Sequence, residues 1–213
     1  MDASPMIDLV YALSGSELAR EHQRALAAAV AARLPWLAQE PRAGIGRLNL
    51  SDGGPGRALL SHRTELTLRL PRERAAAARD LVGAELAVGA ARLQVRGMRA
   101  RELRPHGTLY APLVLAGDVA KATEAAEGGA GAVDEVAFMA AVRRELDALD
   151  VDCRAICGRR GAVDGLRGHS LMLDGLGTAA ALRVLEVGIG PQRLFGCGFF
   201  VPHKSAAAVG VHA

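Results

Sequence analysis

The chain has 213 residues, half of them hydrophobic and 23% charged, with 25 glycines and 9 prolines. This composition is typical of a globular protein and excludes a disordered or collagen-like one. No segment approaches the ~18 consecutive apolar residues that span a bilayer, and the first residues lack the basic and apolar regions of a secretory signal, so we expect neither membrane insertion nor export.

The first predicted element is a strand over residues 6–13, a mostly apolar run of strand length. Ser14 and Glu17 then have the spacing of a capping box, which predicts that a helix begins there. Apolar residues recur on one helical face as far as Val30. The helix is expected to end before Pro35, because a residue that precedes proline disfavours helical geometry.

Four more strands and one more helix are predicted in the first half of the chain. Strands are predicted over 43–50, 64–70, 84–96 and 98–104, and an Ala-rich helix over 72–81. In the second of these strands Leu66, Leu68 and Leu70 alternate and are predicted to share one face. The order strand, helix, strand, strand, helix, strand is the split βαβ pattern of a ferredoxin-like domain.

The second half repeats this order. Strands are predicted over 109–115, 153–158 and 169–173, helices over 133–149 and 178–187, a loop over 121–131, and a last short strand near residue 202. The apolar side of the first of these helices is predicted to include Val136. We therefore predict an α+β protein with tandem ferredoxin-like (RRM-like) domains. The N-terminal domain covers residues 1–105, and the C-terminal domain covers 106–213 and contains a Gly-rich loop over 188–198.

The Gly-rich loop has the pattern of an anion-binding site. Gly188, Gly190, Gly196 and Gly198 flank Arg193. Glycine lets a ligand approach the backbone, and successive amides with an arginine favour an anion. The loop follows a helix and leads into a strand, so neither a Walker loop nor a dinucleotide fingerprint fits. A simple turn explains the glycines alone equally well.

The longer string GIGPQRLFGCGFFVPHK over 188–204 is more specific. It resembles the C-terminal signature of the CRISPR repeat-processing endoribonucleases of the RAMP superfamily, most closely the myxobacterial-type subgroup. Four weaker blocks are similar to that family in the same order: EHQRALAAA over 21–29, LPWL over 34–37, LTLRLP over 66–71 and HSLMLDGL over 169–176.

The resemblance implies a fold, an activity and partners. It implies tandem ferredoxin-like domains and metal-independent cleavage within CRISPR repeat RNA, with attack by the 2′-hydroxyl and a 2′,3′-cyclic phosphate product. The protein is expected to retain the 3′ hairpin of the mature guide RNA and to join other subunits of a CRISPR effector complex. The family's Asp-His-Gly is replaced by Glu21-His22-Gln23, and no lysine lies near His22. The resemblance therefore does not identify the group that stabilises the transition-state charge.

His22 is the predicted general base. RNA self-cleavage needs a group that accepts the 2′-hydroxyl proton near neutral pH, and imidazole is suited to this. A helix over 18–30 places His22 beside the apolar face, so packing between helix and sheet is the alternative. Arg193 either neutralises the phosphate charge or only positions the backbone. His203 and Lys204 are predicted to contact phosphate or to support the loop.

Arginine supplies nearly all of the positive charge and suits bidentate phosphate contact. There are 24 arginines against 2 lysines, and residues 1–105 hold 16 arginines against 11 acidic residues. Arg99 and Arg101 lie in the densest basic run, and Arg159 and Arg160 form a loop pair. All four are predicted to contact RNA, with a solvated surface as the alternative. Aromatic residues, at 3%, are too few for extensive base stacking.

The remaining expectations concern metals, location and competing functions. The cysteines are Cys153, Cys157 and Cys197; they fit neither a disulfide framework nor a zinc knuckle, so we expect a cytoplasmic protein without a metal site or a cofactor. The main alternative to cleavage is a non-cleaving, guide-RNA-binding subunit of a Cascade-like surveillance complex. The third is a metabolic domain that binds phosphate through the Gly-rich loop.

Overall fold

The computed structural model of the protein describes residues 4–116 and 135–204. The chain forms two units, each taken over its described residues. Met1–Glu102 together with Leu194–Gly196 form the first, and Leu103–Arg193 together with Cys197–Ala213 form the second. All of 188–198 was expected in the C-terminal domain, but Leu194–Gly196, in the middle of that segment, belong to the first unit.

The first unit is built on a five-stranded antiparallel sheet. Its spatial order is β3 (Gly44–Ile45), β6 (Glu65–Pro71), β1 (Met6–Ser14), β8 (Ala91–Glu102) and β7 (Glu85–Val88). A second, small sheet has the order β2 (Glu17–Ala19), β5 (Arg57–Leu59) and β4 (Ser51–Asp52). Helix α1 covers Gln23–Arg33.

Alternation along the strands forms the core of the first unit. Ile7, Leu9, Tyr11 and Leu13 share one face of β1, because successive side chains of a strand point to opposite faces. They join buried leucines of β6 and the buried face of α1 in one apolar cluster. The predicted leucine face of β6 is therefore confirmed: Leu66, Leu68 and Leu70 are all fully buried.

Helix α1 begins later than the sequence predicts. Its first residue is Gln23, and Leu18 lies in β2, where it pairs with Ala58 of β5. Ser14 caps no helix, since it is the last residue of β1, and its hydroxyl accepts a hydrogen bond from Arg96 Nε at 3.0 Å. Ser14 and Glu17, the residues of the expected capping box, are thus paired in strands β1 and β2. The predicted end before Pro35 is confirmed.

Other elements of the first unit also differ from the prediction. The segment 72–81 forms two short 3₁₀ turns, Arg72–Arg74 and Ala77–Leu81, instead of one helix. Within 43–50 only Gly44–Ile45 is a strand. The two strands expected over 84–104 form a hairpin whose second strand, β8, is one continuous strand of 12 residues.

The second unit contains a four-stranded antiparallel sheet and two helices. The strand order is β10 (Arg154–Val163), β11 (Leu166–Asp174), β9 (Thr108–Val114) and β12 (Val201–Pro202). Helix α2 covers Glu135–Ala148 and α3 covers Thr178–Val187. Both bounds of α3 agree with the prediction. The predicted α+β class is confirmed.

Two features of the second unit differ from the prediction, and a third falls outside the described residues. Strands β10 and β11 form a hairpin much longer than the two short strands predicted. Val136, expected on the apolar side of its helix, is 76% exposed. The predicted loop over 121–131 lies outside the described residues. Within the described ranges, none of the helices is long and apolar enough to cross a bilayer.

Candidate active site

His22 is the N-cap residue of α1 and follows the end of the short strand β2 by three residues. It is partly exposed. Its Nδ1 atom lies 2.9 Å from the carbonyl oxygen of Ala19 and 3.0 Å from that of Arg20. Both partners are acceptors only, so Nδ1 carries a proton. The neutral ring therefore has its free lone pair on Nε2, which is the arrangement that a general base requires.

Residues of the Gly-rich segment pack beside the first turn of α1, inside the first unit. The guanidinium carbon of Arg24 lies 5.1 Å from the centre of the Phe195 ring, within cation–π distance. Gly196 has a φ of +75°, and a Cβ atom there would lie 2.9 Å from Nε2 of Gln23. Phe195 and Gly196 thus contact the two residues that follow His22 in the chain.

The other three glycines of the segment make close backbone contacts within the second unit. Gly188, Gly190 and Gly198 have φ values of +77°, +76° and +61°. A Cβ at Gly190 would collide with the carbonyl oxygen of Leu115, and one at Gly198 with that of Ile189. Glycine is therefore required at both positions by space as well as by backbone conformation.

The amides of these glycines donate hydrogen bonds within the protein. Gly190 N donates to Glu145 Oε2 at 2.6 Å, Gly198 N to the Leu113 carbonyl at 2.8 Å, and Gly188 N to the Val184 carbonyl in the last turn of α3 at 2.8 Å. These three N–H groups therefore do not form the open anion-binding concavity that the sequence predicts. The glycines shape the backbone of the segment, and contact between these residues and RNA stays a prediction.

Arg193 is a largely enclosed side chain of the second unit. It is 7% exposed, and its Nη1 donates to the carbonyl oxygen of Glu186 at 3.1 Å. A Cβ at Gly188 would lie 2.7 Å from the same Nη1 atom, so the guanidinium packs directly on that glycine. The side chain that the sequence singles out as a phosphate ligand thus braces the loop. Its contact with RNA stays a prediction.

His203 and Lys204 follow the edge strand β12. The ring of His203 lies 5.3 Å from the ring of Tyr110, with 47° between their planes. Its Nδ1 lies 2.8 Å from the carbonyl oxygen of Lys204, and its backbone N–H donates to Thr108. Lys204 is exposed. The histidine is thus held against the sheet, while the lysine is available to a ligand.

Arg99 and Arg101 are already bound to carboxylates. Arg99 makes a bidentate ion pair with Glu65, at 2.7 and 3.1 Å, and Arg101 donates to Asp8 at 3.1 Å. The hydrogen bond from Arg99 holds the pKa of the Glu65 carboxyl below its ordinary value. The basic run of β8 is therefore a partly neutralised surface rather than the freely charged one that the sequence predicts, which weakens its case as an RNA face.

The β10–β11 hairpin is the contrasting surface. Its four arginines are exposed and form no ion pair with the residues that the structure describes; they are Arg154, Arg159, Arg160 and Arg167. The pairing of the two strands shifts by one residue between Cys157 and Arg160, as at a β-bulge. Sequence reasoning did not single out Arg154, inside the strand predicted over 153–158, or Arg167, in the segment predicted between the two strands, because it did not see that one long hairpin carries both.

Comparisons with known proteins identify the family. The family model described as "Cas6 Crispr" matches residues 7–205. The chain belongs to the Cas6 family. The "CRISPR-associated endonuclease Cas6" of Myxococcus xanthus is 33% identical over 211 residues, which cover 97% of this chain and 85% of that protein. The resemblance stated from the sequence is confirmed.

Solved structures agree in fold with this Cas6 family member. A "CRISPR associated protein Cas6" gives a TM-score of 0.65 at 14% identity, covering 93% of this chain and all of the other. A structure described as a RAMP protein that binds different RNA substrates gives 0.60 at 15% identity, covering 91% and 98%. A Cas6-related protein of Pyrococcus furiosus gives 0.58 at 14% identity, covering 92% and 98%.

The described residues of this Cas6 family member contain no group of three or more histidine, cysteine or acidic side chains arranged to hold a metal ion. Cys153 and Cys157 are partly exposed and Cys197 is buried. Burial raises the pKa of the Cys153 and Cys157 thiols, so both are poor nucleophiles near neutral pH.

Proposed function

We propose that this Cas6 family member is an endoribonuclease that cleaves CRISPR precursor RNA within its repeats and retains the product. Membership of the family and a 33% identical relative named as an endonuclease support the class of activity. One observation about the chain itself carries the proposal. The Nδ1 atom of His22 is bound to carbonyl oxygens, which leaves Nε2 as a proton acceptor at the start of α1.

The proposed reaction is an internal transesterification. Nε2 of His22 accepts the proton of a ribose 2′-hydroxyl, the 2′-oxygen forms a bond to the adjacent phosphorus, and the bond from phosphorus to the 5′-oxygen breaks. The leaving oxygen takes a proton from water or from the imidazolium. The products are a 2′,3′-cyclic phosphate and a free 5′-hydroxyl. The reaction consumes no cofactor and needs no metal.

The hairpin of β10 and β11 is the proposed docking surface for the RNA backbone. Its exposed arginines have no acidic partner among the described residues, so their charge is available to phosphates. Exposed Lys204 adds to this charge. Enclosed Arg193 and the four glycines keep a proposed role in RNA binding by holding the shape of the loop. Arg99 and Arg101 contribute less, because each is paired with a carboxylate.

Two further proposals follow from the family. The mature guide RNA is the retained product, and other subunits of a CRISPR effector complex are partners. We also infer that each unit is ferredoxin-like. In the second sheet the first strand, β9, lies between the third, β11, and the fourth, β12; in the first sheet β1 likewise lies between its third strand, β6, and its last, β8. This order supports the inference.

The decisive experiment uses His22→Ala with a repeat-hairpin RNA in the presence of a chelator. We expect the parent protein to cleave and the variant to lose at least about 100-fold in rate, because general base catalysis contributes roughly 10²–10⁴-fold. His62→Ala is the matched control, since His62 is an exposed histidine in a turn, and it should cleave like the parent. RNA with a 2′-deoxy sugar at the cut site should resist cleavage.

Three outcomes would contradict the proposal in different ways. Equal cleavage by His22→Ala and by the parent would remove His22 from the mechanism. Tight RNA binding by the parent without any cleavage would favour the non-cleaving subunit of a surveillance complex. Retention of a nucleotide but not of repeat RNA would favour a metabolic domain.

Binding should also depend steeply on salt. Each arginine–phosphate contact releases counterions, so affinity is expected to fall linearly on logarithmic axes. Removing Arg159 and Arg160 together should reduce this slope, whereas removing Arg99 and Arg101 should change it less. The opposite ranking would contradict the proposed docking surface.

A further inference from the structure

Arg47 lies where Gly196 meets Gln23, the first residue of α1 and the chain neighbour of the proposed general base. It follows the short strand β3 by two residues, and its side chain is exposed. Its Cγ atom lies 2.7 Å from the point where a Cβ of Gly196 would be, and Nε2 of Gln23 lies 2.9 Å from the same point. Arg47, Gly196 and the residue next to His22 therefore meet at one place in the first unit.

The guanidinium of Arg47 has no partner in the described part of the chain. Arg47 makes no hydrogen bond and no ion pair with the residues that the structure describes. Arg20, which is also near the start of α1, is paired instead: it donates to Asp52 at 2.7 Å. Arg24 lies over the ring of Phe195. Of these three arginines, Arg47 is the one whose guanidinium is left for a ligand.

A buried polar group at the same place is also unsatisfied. Gln23 is 2% exposed, and its Nε2 has no hydrogen-bond acceptor in the described part of the chain. Buried N–H donors are almost always paired, so an unpaired one calls for an explanation. This nitrogen is enclosed, so it marks the place where α1, Gly196 and Arg47 meet and is not itself exposed to a substrate.

The chemistry of cleavage requires a cation at this place. When the 2′-oxygen adds to phosphorus, negative charge accumulates on the non-bridging oxygens and must be stabilised. The first unit contains no lysine, because the first lysine of the chain is Lys121 and the second is Lys204. Arginine is therefore the only permanently charged cation that the first unit can offer.

We propose that Arg47 is the catalytic cation of the cleavage reaction, with its guanidinium on the non-bridging oxygens of the phosphate that His22 prepares for attack. This inference depends on the proposed function. It also explains the glycine at position 196. Any larger residue would push the stem of Arg47 away from α1, so Gly196 positions a charge rather than an anion-binding amide.

The test measures single-turnover cleavage of the repeat hairpin at saturating protein, together with the Kd for the same RNA carrying a 2′-deoxy cut site. Arg47→Ala should slow cleavage by about 100-fold or more, the loss typical for one oxyanion donor, while Kd changes by less than about threefold, since one phosphate contact among many is lost. Arg47→Lys should recover most of the rate, because it keeps the charge. Added guanidinium should speed the alanine variant.

The controls separate this inference from the function on which it rests. Arg42→Ala removes another exposed arginine, close to the opposite end of β3, and should cleave like the parent. Circular dichroism checks that each variant is folded, and Arg47→Lys keeps the test valid if the alanine variant is not. If His22→Ala is inactive but Arg47→Ala keeps the parent rate, the inference about Arg47 is wrong and the proposed function stands.

Two other results also decide the matter. A loss of affinity with an unchanged rate at saturation would make Arg47 a binding contact only, and would overturn the catalytic role. A parent protein that binds but does not cleave would contradict the proposed function itself, before any question about Arg47 arises.

Discussion

Replacing Asp8 by alanine is expected to destabilise the protein strongly through its effect on Arg69. Asp8 and Arg69 are 3% and 2% exposed, and they lie opposite each other on β1 and β6. Arg69 donates from Nε to Oδ1 at 2.8 Å and from Nη2 to Oδ2 at 3.1 Å. Asp8→Ala removes both acceptors and leaves a guanidinium buried without its counter-charge.

The magnitude follows from this geometry. Breaking a buried ion pair by removing one partner costs about 3–5 kcal/mol, because the remaining charge has lost its counter-charge but stays out of water. The second cation on Asp8, Arg101, has a side chain that is 48% exposed and can rehydrate. Its loss therefore adds little, and the expected decrease in the free energy of unfolding stays near 3–5 kcal/mol.

Urea denaturation followed by far-ultraviolet circular dichroism measures this decrease. With a slope of about 2 kcal/mol/M, the unfolding midpoint should fall by roughly 1.5–2.5 M. Glu65→Ala is the matched control. It breaks the bidentate pair with Arg99, whose side chain is 56% exposed, and exposed pairs contribute about 1 kcal/mol or less.

The double variant Asp8→Leu with Arg69→Met provides an independent check. Replacing both partners of a buried pair by apolar side chains is often neutral or stabilising, so the double variant should be much more stable than Asp8→Ala alone. The reasoning is refuted if Asp8→Ala shifts the midpoint no more than Glu65→Ala does, since losing the carboxylate of Asp8 would then cost the buried Arg69 no more than an exposed arginine.

Three more predictions concern the loop, the pH dependence and the thiols. Gly198→Ala should cost at least about 2 kcal/mol in urea unfolding, because it adds a backbone collision to the strain of a positive φ, whereas Gly175→Ala, at φ +77° with open space around it, should cost only the strain of about 1 kcal/mol. Because Arg99 lowers the pKa of Glu65, this carboxylate stabilises the fold above its ordinary pKa, and the stabilisation is lost as the pH falls through the lowered value. The difference in Tm between the parent and Glu65→Gln should therefore be present at pH 7 and disappear in acid; a difference that grows in acid would show the sign to be wrong. Iodoacetamide at neutral pH should leave Cys197 unmodified in the folded protein, because it is fully buried, and label it after unfolding; rapid labelling of the native protein, followed by mass spectrometry, would contradict this burial.

Local patterns in the sequence determined several elements correctly. The alternation of Leu66, Leu68 and Leu70 predicted the buried face of β6, and the apolar spacing of α3 predicted both of its ends. These features depend on a few neighbouring residues and on the fixed periods of strands and helices. The signature over 188–204 likewise indicated the family before any coordinates were known.

Pairing between distant segments decided the elements that were predicted wrongly. Ser14 and Glu17 have the spacing of a capping box, yet they lie in or beside strands, since Ser14 pairs with Gln94 and Glu17 with Leu59. A helix start is a local preference worth about 1 kcal/mol. Strand pairing across a sheet outweighs such a preference, and no local pattern reveals the partner.

The sequence likewise shows where the arginines are, but only the tertiary structure shows which of them are neutralised. The sequence lists the arginines of β8, but the carboxylates that neutralise Arg99 and Arg101 are 34 and 93 residues away. Whether a basic run is a free surface depends on those partners, so only the tertiary structure could separate it from the unpaired arginines of the β10–β11 hairpin.

The proposed active site divides in this way as well. His22 was found from the sequence alone, because the residue type and its surrounding motif are local. Its tautomer, the contact of Gly196 with α1 and the position of Arg47 came only from the fold. These features join segments that are far apart in the chain, and such contacts form when the packing of the whole unit outweighs the entropy of closing the loops between them.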